Sequence, residues 1–241
     1  MISRLKHTYK RFHLGYYNYL LILLIILFAF RPYDKGMAYL AVWKTFFACV
    51  ILTAIFNCKH HRRVRTLAII LAIPTVLLNW LELIYTSHLC FIFHVLFTIA
   101  FLWVCTASIL YDVILNAKVT IETLRGVVCA YFMIAFLFAY AYYLTEYLLP
   151  GSFHLAFRDV SFITFSRNLS QMMYFSFVTL LTIGFGDITP LGDISQTLVV
   201  IEGIVGQFYI AILVARIVSV YAIYSDKNLL ARTKKTFQNP K

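Results

Sequence analysis

The stretch Thr179-Leu180-Leu181-Thr182-Ile183-Gly184-Phe185-Gly186-Asp187-Ile188-Thr189-Pro190 decides how the rest of the chain is read. Just ahead of its glycines, residues 169–181 are apolar and compatible with a helix. At 1.5 Å per residue that helix covers only about 20 Å, short of the roughly 30 Å hydrocarbon core of a bilayer. Long apolar runs stand on both sides, residues 127–149 before and 194–224 after. A short helix followed by glycine-rich chain between two full spans predicts a re-entrant loop. Irregular backbone survives at membrane depth only where it lines a cavity or is buried in protein.

Four more apolar runs precede this region, at residues 14–30, 37–56, 67–85 and 89–110. The chain has 241 residues, of which 62% are hydrophobic and 13% charged, and its mean hydropathy is +0.82. A soluble domain needs polar outer faces that this composition cannot supply, whereas lipid solvates apolar ones. The expected fold is therefore all-α and integral to a membrane: six transmembrane helices plus the short re-entrant helix. No cleavage site is evident after the first run, so it is expected to remain as a helix.

The net charge of +11 does not point to nucleic acid. Its basic residues sit in short clusters between apolar runs, as juxtamembrane charges do. Arg4, Lys6, Lys10 and Arg11, then Lys59, Arg62, Arg63 and Arg65, then Lys227, Arg232, Lys234, Lys235 and Lys241 all fall on one side of a six-span arrangement. The positive-inside rule makes that side, with both termini, cytoplasmic. The five cysteines (Cys49, Cys58, Cys90, Cys105, Cys129) lack CxxC spacing and read as free thiols in helices. The adjacent His60-His61 make no metal site. Nor is there a phosphate loop, a Cys/His cluster or a nucleophile elbow, so no enzyme and no cofactor is expected.

Residues 182–187, Thr-Ile-Gly-Phe-Gly-Asp, resemble the selectivity filter of potassium channels, which reads threonine, aliphatic, glycine, tyrosine or phenylalanine, glycine, aspartate. The likeness extends more loosely over 169–224 as pore helix, filter and inner helix. It implies a tetramer of identical subunits around one axis, K+ as the permeant ligand, and passive potassium-selective conduction. Backbone carbonyls replace the water shell of the ion. The ligands implied are the carbonyls of Thr182, Ile183, Gly184 and Phe185 with the Thr182 hydroxyl. Successive carbonyls face one way if the backbone alternates between right- and left-handed conformations, which Gly184 and Gly186 allow without steric cost.

Support behind the filter is expected from Tyr174, Phe175, Val178, Thr179 and Glu202. Phe175 stands where many relatives place tryptophan, and Phe185 where tyrosine is commoner, so that pair is wholly apolar. Tyr174 is expected to donate to Asp187. Val178 stands where some bacterial channels keep an acid. Glu202 is an intramembrane carboxylate; it has three readings: a bond to the pore helix, concentration of cations, or a protonated structural role. Gly203 and Gly206 interrupt the last helix, and Gly206 lies twenty residues beyond Gly186, where the family has its hinge. Close helix packing is the alternative use of these glycines. Arg216 is expected to snorkel toward the cytoplasm.

Six helices with the pore between the last two resemble voltage-gated channels, but residues 89–115 contain no Lys or Arg. Each charge moved through the field is worth ~2.3 kcal/mol per 100 mV, so weak or absent voltage dependence is expected. Lys44 and Glu82 lie at similar depth on neighbouring helices and are expected to pair, with a vestigial sensor role as the alternative.

The expected division is an N-terminal segment 1–13, a four-helix domain 14–115, a cytoplasmic linker 116–126, a pore domain 127–224 and a basic tail 225–241. The pore domain divides into outer helix 127–149, turret 150–168, pore helix 169–181, filter 182–187 and inner helix 194–224. The tail is too short for a regulatory domain and suits contact with lipid headgroups. Asn168-Leu169-Ser170 reads as a glycosylation sequon on the outer side. A bacterial inner membrane is the expected location, as a plasma membrane. A nonselective cation channel and a silent or modulatory subunit are the alternatives.

Overall fold

A computed structural model describes residues 16–32, 36–57, 62–82, 87–115, 121–155 and 165–238. In chain order these form α1 (Tyr16–Ala29), α2 (Met37–Asn57), α3 (Arg62–Leu81), α4 (His88–Leu115) and α5 (Ile121–Leu148). Then follow β1 (Phe153–Leu155), α6 (Phe165–Leu180), β2 (Ile188–Pro190) and α7 (Asp193–Gln238). Among the described residues, five helices are long and apolar enough to cross a membrane: α2, α3, α4 over His88–Val113, α5 over Glu122–Leu148, and α7 over Asp193–Leu213. The helix α1 is equally apolar but has 14 residues. An all-helical chain with these spans is an integral membrane protein.

The helices form because nothing in the long apolar runs breaks them, and in lipid every backbone N–H and C=O must be bonded within the segment. Pro74 lies inside α3 without ending it. The centre of the packing is α5, which meets α1, α4, α6 and α7. Three small or medium side chains of α5, Cys129, Ala130 and Met133, are fully buried. Aromatic rings join the layers. Phe28 of α1 lies 4.3 Å from Phe177 of α6 and 6.2 Å from Phe132 of α5, and Phe91 of α4 lies 4.0 Å from Tyr147 of α5.

Three boundaries differ from the sequence reading. The linker expected at 116–126 is helical from Ile121, where Glu122 sits in the first turn and Arg125 binds it at 2.8 Å. The turret expected at 150–168 holds β1 and gives way to α6 at Phe165, which also puts the Asn168 sequon in a helix with Leu169 and Ser170 buried. The inner helix expected to end at 224 continues to Gln238, through most of the basic tail. In each case polar residues mark where the apolar run stops, but most polar side chains are compatible with a helix, so the helix extends beyond the apolar run. The expected segment 1–13 lies outside the described residues.

Candidate functional site

The segment 181–187 hangs from the end of α6. The Leu181 amide donates to Phe177 O at 3.0 Å, Thr182 to Thr179 O at 2.9 Å and Ile183 to Val178 O at 2.9 Å. These bonds use the last carbonyls of the helix, which have no partner within it. Beyond them the backbone alternates. Thr182, Gly184 and Gly186 have φ of +58°, +59° and +79°. Glycine enters this left-handed region freely, whereas a side chain such as that of Thr182 costs roughly 1–2 kcal/mol there. A Cβ added to Gly184 or Gly186 would meet open space, so the bar to substitution is backbone strain.

The stretch is exposed within the single chain, Phe185 at 67%. Its far end is pinned. Tyr174 of α6 donates to Asp187 Oδ2 at 2.8 Å, and Asp187 Oδ1 accepts the Ile188 amide at 3.1 Å. The Arg31 guanidinium beyond α1 lies 5.6 Å from the Tyr174 ring. Strand β2 then pairs antiparallel with β1, Phe153 opposite Pro190 and Leu155 opposite Ile188. Glu146 near the end of α5 accepts the Gly151 and Phe153 amides at 3.1 and 3.0 Å. The near end of the stretch is therefore fixed by backbone bonds to α6, and the far end by the Tyr174 side chain and by the pairing of β2 with β1, which the Glu146 side chain ties to α5.

Behind the stretch, Phe175 packs its ring 5.3 Å from Tyr142 and 5.6 Å from Phe153. Val178 is buried, and Thr179 is half-buried. Glu202 of α7 is fully buried. Its Oε1 lies 2.5 Å from Ser176 Oγ of α6, and its Oε2 accepts a hydrogen bond from Tyr142 of α5. Of the readings open for Glu202, contact with the short helix is the one the geometry contains. Gly203 has open space around it, but a Cβ on Gly206 would stand 2.8 Å from Leu180 O. Gly206 thus lets α7 pass against the end of α6, and α7 runs through both glycines as one helix.

Sequence reasoning missed Tyr142, Ser176, Glu146 and Tyr131, whose hydroxyl donates to Leu180 O at 3.0 Å. The available signal was a hydrogen-bonding group on an otherwise apolar helix, which in a membrane must find a partner. Lys44 and Glu82 do meet, at 3.0 Å, and Lys44 also donates to the Asn79 carbonyl at 2.5 Å near the end of α3. Among the described residues no group of three or more His, Cys, Asp or Glu is placed to hold a metal ion.

Residues 130–222, from within α5 to within α7, match a family model described as an ion channel. No curated protein and no solved structure matches the chain. The segment carrying the alternating backbone lies inside the matched region, which supports ion channel activity for this integral membrane protein.

Proposed function

We propose that this chain is one of four identical subunits of a potassium-selective channel, with Thr182 to Asp187 as its filter and α6 as its pore helix. The observation that carries this reading is the alternation of left-handed backbone at Thr182, Gly184 and Gly186 directly after a short helix. Alternation turns successive carbonyls to the same side, as needed to replace the water of a dehydrated cation. The carbonyls of Thr182, Ile183, Gly184 and Phe185, with the Thr182 hydroxyl, are the proposed ligands.

Two features support assembly around an axis. The apolar core of α5 is 61% buried within the chain, that of α7 only 11%. Phe185, Ile204, Phe208 and Ile212 are among the large exposed side chains. A filter that faces solvent in one subunit becomes lined when three copies join it. In this reading α1 is the first of six spans and both termini are cytoplasmic in a plasma membrane. Voltage dependence is weak because α4 carries no Lys or Arg. A passive pore needs no catalytic group.

The test is reconstitution in liposomes and measurement of the reversal potential under a potassium/sodium gradient. Reversal near the potassium potential is expected for the native chain. The Gly184→Asp variant is expected to lose it, since it puts a side chain and a charge at a left-handed filter position. Equal permeability to both ions in the native chain would overturn the reading.

A further inference from the structure

Five oxygens from three helices form a buried chain behind α6. Ala135 O of α5 lies 2.7 Å from Ser176 Oγ of α6. Ser176 Oγ lies 2.5 Å from Glu202 Oε1 of α7. Glu202 Oε2 contacts the Tyr142 hydroxyl of α5. Ser176, Glu202 and Tyr142 are all fully buried.

Three contacts of this length need three protons, because two oxygens brought so close without a hydrogen between them repel. The hydroxyls of Ser176 and Tyr142 provide one each. Ala135 O is a carbonyl and only accepts, so it takes the Ser176 proton. Tyr142 donates its proton to Oε2. The contact between Ser176 Oγ and Oε1 is then left without a hydrogen unless the carboxyl itself carries one. No basic side chain is paired with Glu202 among the described residues, and an uncompensated carboxylate in a dry interior is costly.

We infer that Glu202 is a neutral carboxylic acid whose Oε1 proton is directed at Ser176, and that it is the positioning residue that ties α6 to α7 and α5. All three contacts are then satisfied in one direction: Oε1–H to Ser176, Ser176 to Ala135 O, and Tyr142 to Oε2. Its consequence for ion discrimination rests on the channel reading above. Movement of α7 stretches the Glu202–Ser176 bond and so acts on α6, whose C-terminal carbonyls hold residues 181–183. A charged Glu202 would instead lose one of the three links.

Infrared difference spectroscopy on the full chain in lipid reads the proton directly and needs no ion flux. Native chain minus Glu202→Gln is expected to show the C=O stretch of a protonated carboxylic acid. In Tyr142→Phe that band should persist but move to higher frequency, since the carbonyl oxygen loses its donor. Absence of the band in the native chain overturns the protonated state whatever the flux. The positioning role is read by potassium/sodium discrimination in the same liposomes. Ser176→Ala and Glu202→Ala are expected to lose about tenfold or more, equivalent to ~1.4 kcal/mol. Glu202→Gln, whose amide can both donate and accept, should regain most of that loss. A Gln variant as impaired as the Ala variant, or an unaffected Ser176→Ala, overturns the positioning role. A native chain that shows the band but no selective flux removes the channel reading while leaving the proton assignment standing.

Discussion

Two carboxylates in this molecule, Glu82 largely buried and Glu202 fully buried, are accommodated in different ways. Glu82, beyond the end of α3, faces Lys44 of α2 at 3.0 Å, with His94 Nδ1 of α4 at 3.4 Å, beyond normal hydrogen-bond length. Around it Asn79 Nδ2, Glu82 Oε1, both His94 ring nitrogens and the Tyr140 hydroxyl have no hydrogen-bond partner among the described residues. Glu202 has no cation beside it among the described residues, but both of its oxygens are bonded to hydroxyls. The first region is held by charge and leaves polar groups over. The second is held by neutral hydrogen bonds that use each group. Opposite charges attract over distance and tolerate loose geometry, whereas hydroxyl bonds demand close fixed positions. The tighter arrangement lies beside α6, where the position of residues 181–187 is set.

This contrast can be broken most forcefully at Lys44. Lys44→Met leaves Glu82 buried without its cation and is expected to cost about 3–5 kcal/mol. Thermal unfolding in detergent measures it, and adding Glu82→Gln should return most of the loss. If the single variant is as stable as the native chain, the first region is not held by charge.

A smaller effect sharpens the second region. Gly206→Ala places a methyl 2.8 Å from Leu180 O and is expected to destabilise by about 1–3 kcal/mol through overpacking. Gly203→Ala meets nothing within 4 Å and should add up to ~1 kcal/mol of helix stability. Comparing the two melting temperatures separates close packing from a bending role. Equal shifts would remove close packing at Gly206 as the distinction.

The smallest effect is expected at the rim. Tyr174→Phe removes the 2.8 Å bond to Asp187, worth about 1 kcal/mol at a half-exposed site. Conduction in reconstituted channels should decay faster under sustained activity. A decay rate equal to that of the native chain would show that Asp187 is held sufficiently by the Ile188 amide.

Much of this was legible in the chain itself. Apolar runs reveal α2 to α5 and α7, because lipid demands uninterrupted helices. The pair Lys44 and Glu82 could be foreseen because each is the isolated charge of its run at similar depth. Helix ends were harder to read. The residues at 121–126 and 225–238 are polar but contain no strong breaker apart from Gly126, so polarity by itself does not mark the end of a helix. The strands β1 and β2, three residues each, are too short to show an alternating pattern.

The sequence alone determined that this is a membrane protein, and that a left-handed turn falls at two glycines between its last long helices. Both follow from local chemistry: apolar side chains need lipid, and residues without a Cβ admit positive φ. Tertiary structure alone decided that α1 and α4 of the same chain pack on α5, that Thr182 joins the glycines in left-handed backbone, and that Gly206 serves close approach to Leu180. It also chose the partners of Glu202. Tyr142, Ser176 and Glu202 lie 26 or more residues from one another in pairs that bond, and no local pattern specifies which hydroxyl meets a carboxyl across a helix interface. That choice is made by how three helices pack.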